Sequence, residues 1–140
     1  MKQIGWIVIF GMASCFSACG PGNSGPSSAE GRWTYTTADK KVKVEFELKK
    51  NSSNSLDIQN SVLTIEGVTY NSAAQISGVN LPLITFMRVN ANDAKAVYSY
   101  DIQFAAGTVS NDFNRIDVPN GAYTLAGGTT ALKNISIGRP

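Results

Sequence analysis

The chain has no histidine, only two cysteines, and few charged residues for its length, 12 basic and 10 acidic among 140. Without histidine or a third cysteine, the usual zinc sites and nucleophile–imidazole pairs cannot be assembled. A net charge of +2 is too small for a surface that follows a phosphate backbone. We therefore expect no such metal centre, no cofactor, no enzyme activity and no nucleic-acid partner. The length fits one domain.

Long apolar runs are scarce as well. The run Ile4–Ala13 is shorter than the roughly 18–20 residues that a membrane-spanning helix needs, and Lys2 precedes it. A short apolar run behind a single positive charge is typical of a signal peptide. We therefore predict a leader that directs export and is removed afterwards.

The two cysteines, Cys15 and Cys19, follow that run. The stretch "FSAC", residues 16–19, has small residues at the two positions before its cysteine, and it resembles the lipobox of bacterial lipoproteins, with Phe16 where that family usually has Leu. The resemblance covers only the leader. It implies that Cys19 is acylated on sulfur, that the leader is cut just before it, and that the new amino terminus is acylated. Two other interpretations remain open. The stretch "MASC", which ends at Cys15, is a rival lipobox, and an uncleaved terminus would leave both thiols without a role.

The segment Gly20–Ala29, "GPGNSGPSSA", holds three glycines, two prolines and three serines. This composition predicts a flexible tether, because it has no apolar surface to bury. The chain then divides into a signal peptide (1–18), a lipidated cysteine with its tether (19–30) and a single β domain (31–140). Gly20 stands where an enterobacterial inner-membrane retention signal would carry Asp, so the resemblance favours the outer membrane within the cell envelope.

The domain is predicted to be all-β. Lys41–Lys49 alternates apolar and charged residues without a fault, and it follows Arg32–Thr37 across the turn "TADK", which predicts a hairpin. Short strands recur at roughly 8–12-residue spacing, with no helical period. Gly67 and Gly107 interrupt strand patterns and mark a bulge or a turn. We expect an antiparallel β-sandwich, Ig-like or jelly-roll-like, with a lipocalin-like β-barrel as the alternative.

The barrel alternative depends on "GRW", residues 31–33. It resembles the Gly-x-Trp signature of lipocalin-like barrels, which implies a basic residue from the last strand packed over the tryptophan, and Arg139 is placed to serve. The side chains of Trp33 and Tyr35 share a face that the next strand can cover, so we predict that Trp33 is buried.

Three other patterns admit both a structural and a functional interpretation. The alternating stripe Tyr98–Phe104 suits a core, a ligand pocket or a carbohydrate surface. The loop Ser110–Asp117 suits calcium or a self-bonded polar turn. Glu45 and Glu47 suit a solvated strand face better than a catalytic pair.

These patterns together predict a lipid-anchored, non-enzymatic binding or structural module of the bacterial envelope. Its partners are the membrane, reached through the lipidated N-terminus, and an envelope protein, a glycan or a small apolar ligand. The alternative function is a lipocalin-like carrier of a small apolar ligand, which requires an interior cavity.

Overall fold

Eight antiparallel strands form one closed barrel. The computed structural model describes residues 28–91 and 100–140. The strands are β1 Gly31–Thr36, β2 Val42–Lys50, β3 Leu56–Ile65, β4 Val68–Asn80, β5 Leu83–Ala91, β6 Asp101–Val109, β7 Arg115–Leu125 and β8 Gly128–Gly138. Each strand pairs with the next in sequence, and β1 returns to β8. Within the described residues, no helix is long and apolar enough to cross a bilayer.

The all-β, antiparallel prediction is confirmed, and the sandwich is wrong. One sheet closes on itself through the pair Thr34↔Gly138, and all eight strands of residues 28–91 and 100–140 belong to it, so this part of the chain holds no second sheet to pack against it. The connections explain this outcome. A sandwich with Greek-key topology needs connections that cross from one sheet to the other, whereas every strand here pairs with its neighbour in sequence. The closed barrel is the architecture of the alternative prediction.

The predicted first hairpin is confirmed. The strands β1 and β2 pair along their length, from Gly31↔Leu48 to Thr36↔Lys43. The apolar positions of β2 all point into the barrel and are at most 2% exposed: Val42, Val44, Phe46 and Leu48. The period-two pattern in the sequence therefore corresponds to a dry inner face and a wet outer face.

A row of five facing residues crosses the barrel wall from β4 to β8, and we call it the offset row. It consists of Gly78, Thr85, Ala106, Pro119 and Asn134. Ladder pairs lie on both sides of the row, but the five residues themselves form no ladder pair. Three of the five have a left-handed φ: 60° at Gly78, 56° at Ala106 and 51° at Asn134. Pro119 has no N–H to donate, so it fits a position outside the ladder.

Along an ordinary strand, successive inward-facing side chains are two residues apart. Across the offset row they are three residues apart. In β6, Phe104 is followed inward by Gly107, and in β8 Leu132 is followed by Ile135. The side-chain alternation of these strands is therefore reversed at the middle of the wall. Gly107, which the sequence marked as a bulge or turn, lies inside β6, and Gly67 lies in the β3–β4 turn with a φ of 85°.

The barrel interior is filled by large side chains. Residues less than 2% exposed include Trp33, Phe104, Leu48, Leu63, Met87, Ile102, Ile116 and Ile137. An eight-stranded barrel is just wide enough for side chains to fill it or for one small ligand to enter. We call the end where β1 begins the base, and the opposite end, with the β1–β2, β3–β4 and β7–β8 turns, the rim.

Candidate functional site

The base is closed by a contact between the first and the last strand. The guanidinium of Arg139, one residue beyond β8, lies 4.0 Å from the centre of the Trp33 ring. A cation over an aromatic face is attracted by the negative face of the ring. Trp33 is fully buried, and its indole Nε1 donates a 3.0 Å hydrogen bond to the carbonyl of Ala29. The predictions for Trp33 and for Arg139 are therefore confirmed.

Arg139 also binds three main-chain carbonyls. It donates to the oxygens of Ser28, Glu30 and Phe113, at 2.8, 2.7 and 2.9 Å. Burial lowers the pKa of this guanidinium from its ordinary value, which still leaves it charged at neutral pH. One side chain thus joins the segment before β1, the β6–β7 loop and the end of β8.

At the rim, a second network connects the β1–β2 turn with β7. The carboxylate of Asp39 accepts hydrogen bonds from the hydroxyls of Thr37 and Tyr123, at 2.5 and 2.6 Å. These two bonds lower the pKa of Asp39 to about 2, and the bond from Thr37 has the larger effect. The same bond to Asp39 raises the pKa of Tyr123. The sequence indicated only a turn here, and the Thr-x-Asp spacing was the available signal.

Aromatic pairs pack below the rim. The rings of Tyr35 and Phe104 meet edge to face at 5.7 Å, and those of Tyr70 and Tyr100 are 5.3 Å apart. From the predicted stripe 98–104, Ile102 and Phe104 are buried in the core, whereas Tyr98 lies outside the described residues. The described part of the stripe therefore contributes to packing.

The outer carboxylates of β2 have partners on their own strand. Glu45 lies 3.1 Å from the ammonium of Lys43, and Glu47 lies 3.4 Å from that of Lys49. The amide of Asn60 also donates to Glu47 at 2.8 Å, which is the main cause of the lowered pKa of Glu47. This arrangement is the solvated strand face that the alternation predicted.

The loop Ser110–Asp117 bonds to itself. The carboxylate of Asp112 accepts from the hydroxyl of Ser110 and from the backbone N–H of Asn114, and these bonds lower its pKa. Asp117 binds the guanidinium of Arg115 at 2.7 Å. Within residues 28–91 and 100–140, no three metal-ligating side chains of the His, Cys, Asp or Glu type lie together. The loop is thus a self-bonded polar turn.

The barrel wall opens between β3 and β4. Their ladder runs from Ile65↔Val68 to Val62↔Asn71 and then stops, although β3 extends back to Leu56 and β4 continues to Asn80. The hydroxyl of Ser72 donates to that of Ser61 at 2.8 Å where the strands part. We call the space between Leu56–Ser61 and Ser72–Asn80 the β3–β4 gap.

A groove of about 620 Å³ occupies this gap. Its lining comprises Asp57–Gln59 from β3, Ala74–Ser77 from β4, and Phe86 from β5. Ile58 and Ile76 are half-buried against the core, while Gln59 and Gln75 are exposed. Both inward-facing and outward-facing side chains therefore line the opening, as expected where a wall has parted. The sequence carried no signal for this feature.

The predicted lipid-attachment residue Cys19, and its rival Cys15, lie outside the described residues. Comparison with protein-family models, with curated proteins and with solved structures found no match for this chain. The function is therefore inferred from the chain's own residues.

Proposed function

We propose that this chain is a lipid-anchored, non-enzymatic binding module of the bacterial cell envelope. Cys19 carries the lipid, the polar segment between Cys19 and Ser28 spaces the domain from the membrane, and the barrel presents its outer wall to a partner. The leader, the small residues before Cys19 and the polar tether support the anchor.

The filled interior is the observation that favours a module over a carrier. The largest side chains at the centre of the barrel, Trp33 and Phe104 among them, are at most 1% exposed. A carrier needs interior volume beyond what its own side chains occupy. In contrast, the grooves of the described barrel that border β2–β3 and β3–β4 include polar residues, such as the half-buried Glu45 and the exposed Gln75.

The anchor is tested by fractionating bacteria that express the full chain. We expect Cys19→Ala to move the protein out of the membrane fraction and to abolish labelling by a radioactive fatty acid. Cys15→Ala is the matched control, since it removes a thiol four positions earlier and should leave both results unchanged. The anchor assignment is wrong if Cys15→Ala alone releases the protein.

The binding mode is tested with an apolar fluorescent probe added to the purified chain. A filled barrel should show no saturable uptake, because entry would require displacing core side chains. Saturable binding that Phe104→Ala strengthens and Glu45→Ala leaves unchanged would assign an interior site, and with it the carrier alternative.

A further inference from the structure

We propose that the β3–β4 gap binds an extended segment of a partner protein, which adds as a strand to the free edge of β4. The inference rests on the proposed binding role and names the kind of partner. It does not depend on the lipid anchor.

The two main-chain edges of β4 are used unequally after Asn71. From Ser72 to Asn80, β4 uses one edge to pair with β5, in the register Ser72↔Ala91 to Asn80↔Leu83. No ladder pair among the described residues joins the other edge of this stretch to β3. A strand edge with unused N–H and C=O groups is a template for another extended chain.

The side chains that border the β3–β4 gap differ between its inner and its outer face. Those that point toward the core, Ile58 and Ile76, are apolar, whereas Gln59 and Gln75 face outward. No hydrogen bond among the described residues uses either glutamine amide. An added strand presents alternate side chains to opposite faces. The gap therefore suits a segment that alternates apolar and polar residues.

The β3–β4 gap carries a negative charge. Asp57 is the only charged residue in Leu56–Ser61 and Ser72–Asn80. One of its carboxylate oxygens accepts a hydrogen bond from the side-chain amide of Asn51 at 3.1 Å, and Asp57 remains exposed. A basic residue at an outward position of the added segment complements this charge.

The chain's own tether does not meet these requirements. Gly20–Ala29 contains three glycines and two prolines and lacks alternating apolar residues. Glycine and proline both weaken strands. The tether is thus a poor occupant, and we assign the gap to a segment of a partner chain.

The test uses the full chain in detergent and the synthetic peptide acetyl-KVTVKVT-amide. Backbone hydrogen exchange is followed with and without peptide. We expect exchange to slow in Ser72–Asn80, because added ladder bonds protect the amides that make them. The same peptide with its valines N-methylated lacks the N–H groups of its three valines, which point to one edge of the strand, and should give no protection.

Charge variants locate the peptide within the gap. Asp57→Lys should weaken peptide binding, and the matched control Glu66→Lys, which makes the same change in charge at the β3–β4 turn, should not. Both sites are exposed, so folding is expected to survive either substitution.

Three results would overturn the inference. Protection confined to Thr129–Lys133 would place the peptide on the edge of β8. Equal protection by the N-methylated peptide would exclude strand addition. Protection by a neutral glucose oligomer, with none by the peptide, would make the gap a glycan site. Membrane fractionation of Cys19→Ala is independent of all three, so failure here and failure of the anchor are distinguishable.

Discussion

The phenol of Tyr123 donates a 2.6 Å hydrogen bond to Asp39, a residue 84 positions earlier in the chain. Tyr123 belongs to β7 and Asp39 to the turn that follows β1, so the bond crosses the rim near the strands where the barrel closes. It supplements a closure that has a single ladder pair, Thr34↔Gly138. The rim network therefore contributes to closing the barrel.

Asp39 makes the stability of the barrel depend on acid pH. Its hydrogen bonds from Thr37 and Tyr123 lower its pKa from 3.8 to about 2. A carboxylate whose pKa is lowered by folding contributes stability above its unfolded pKa, and this contribution is lost as the pH falls through the folded value. Asp39→Asn should reduce the loss of stability between about pH 4 and about pH 2, as measured by urea unfolding at each pH.

Two variants serve as checks on this pH effect. Asp57→Asn removes an exposed carboxylate that takes no part in the rim network, and the barrel should then keep the acid dependence that Asp39 causes. Some dependence should persist in Asp39→Asn, because folding also lowers the pKa of Glu47 and Asp112. Identical pH profiles for Asp39→Asn and the unmodified chain would show that the rim network has no such role.

The side chain of Arg139 should contribute more to the free energy of unfolding than the side chain of an exposed arginine does. Arg139→Ala removes three hydrogen bonds to carbonyls and the cation over Trp33. We expect it to lower the free energy of unfolding by about 2–4 kcal/mol. Arg115→Ala removes an exposed ion pair with Asp117 and should cost less than about 1 kcal/mol. Equal losses in chemical denaturation would contradict this interpretation.

The offset row predicts an unusual response to glycine. Ala106 has a φ of 56°, where glycine avoids the strain that a Cβ imposes. Ala106→Gly should therefore leave the free energy of unfolding unchanged or raise it by up to about 1 kcal/mol. Its neighbour Ala105 has no left-handed φ, and Ala105→Gly should lower stability by about 0.5–1 kcal/mol. A larger loss at Ala106 than at Ala105 would argue against the left-handed conformation.

Gly121 is required for close packing inside the barrel. A Cβ on Gly121 would lie 2.6 Å from the carbonyl oxygen of Gln103 and 2.7 Å from Cδ1 of Ile135. We expect Gly121→Ala to cost about 1–3 kcal/mol, since neighbouring strands must shift. Gly138→Ala is the matched control, because a Cβ there meets no atom within 4 Å. Thermal unfolding that ranks the two variants alike would refute the packing argument.

The sequence predicted β2 well because the offset row does not reach it. Val42, Val44, Phe46 and Leu48 keep one period throughout, so both the strand and its dry face are evident from the pattern. In β6 the inward positions shift after Phe104, and alternation covers only its first half. The period-two rule cannot extend through a strand whose side chains change face midway.

The barrel and its opening required information that local patterns do not carry. Closure depends on Thr34↔Gly138, a pair between the first strand and the last. The residue pattern of each of these strands is the same whether the strand belongs to a sandwich or to a barrel. The β3–β4 gap arises because β4 stops pairing with β3 after Asn71 and pairs with β5 from Ser72 onward. Only the Gly-x-Trp motif and Arg139 indicated a long-range contact, and the structure confirms that contact.

The clamp of Arg139 on Ser28 and Glu30 also determines how the barrel withstands mechanical force. Tension applied through the segment before Ser28 reaches β1 at its first residues, and β1 has a single ladder pair with β8. Without Arg139, such a pull would load that single ladder pair directly. With it, the carbonyls of Ser28 and Glu30 are held to the residue that follows β8, and the indole of Trp33 is held to Ala29. If the proposed lipid anchor holds the domain at this end, a pull on it therefore reaches the end of β8 through Arg139 before it opens the seam.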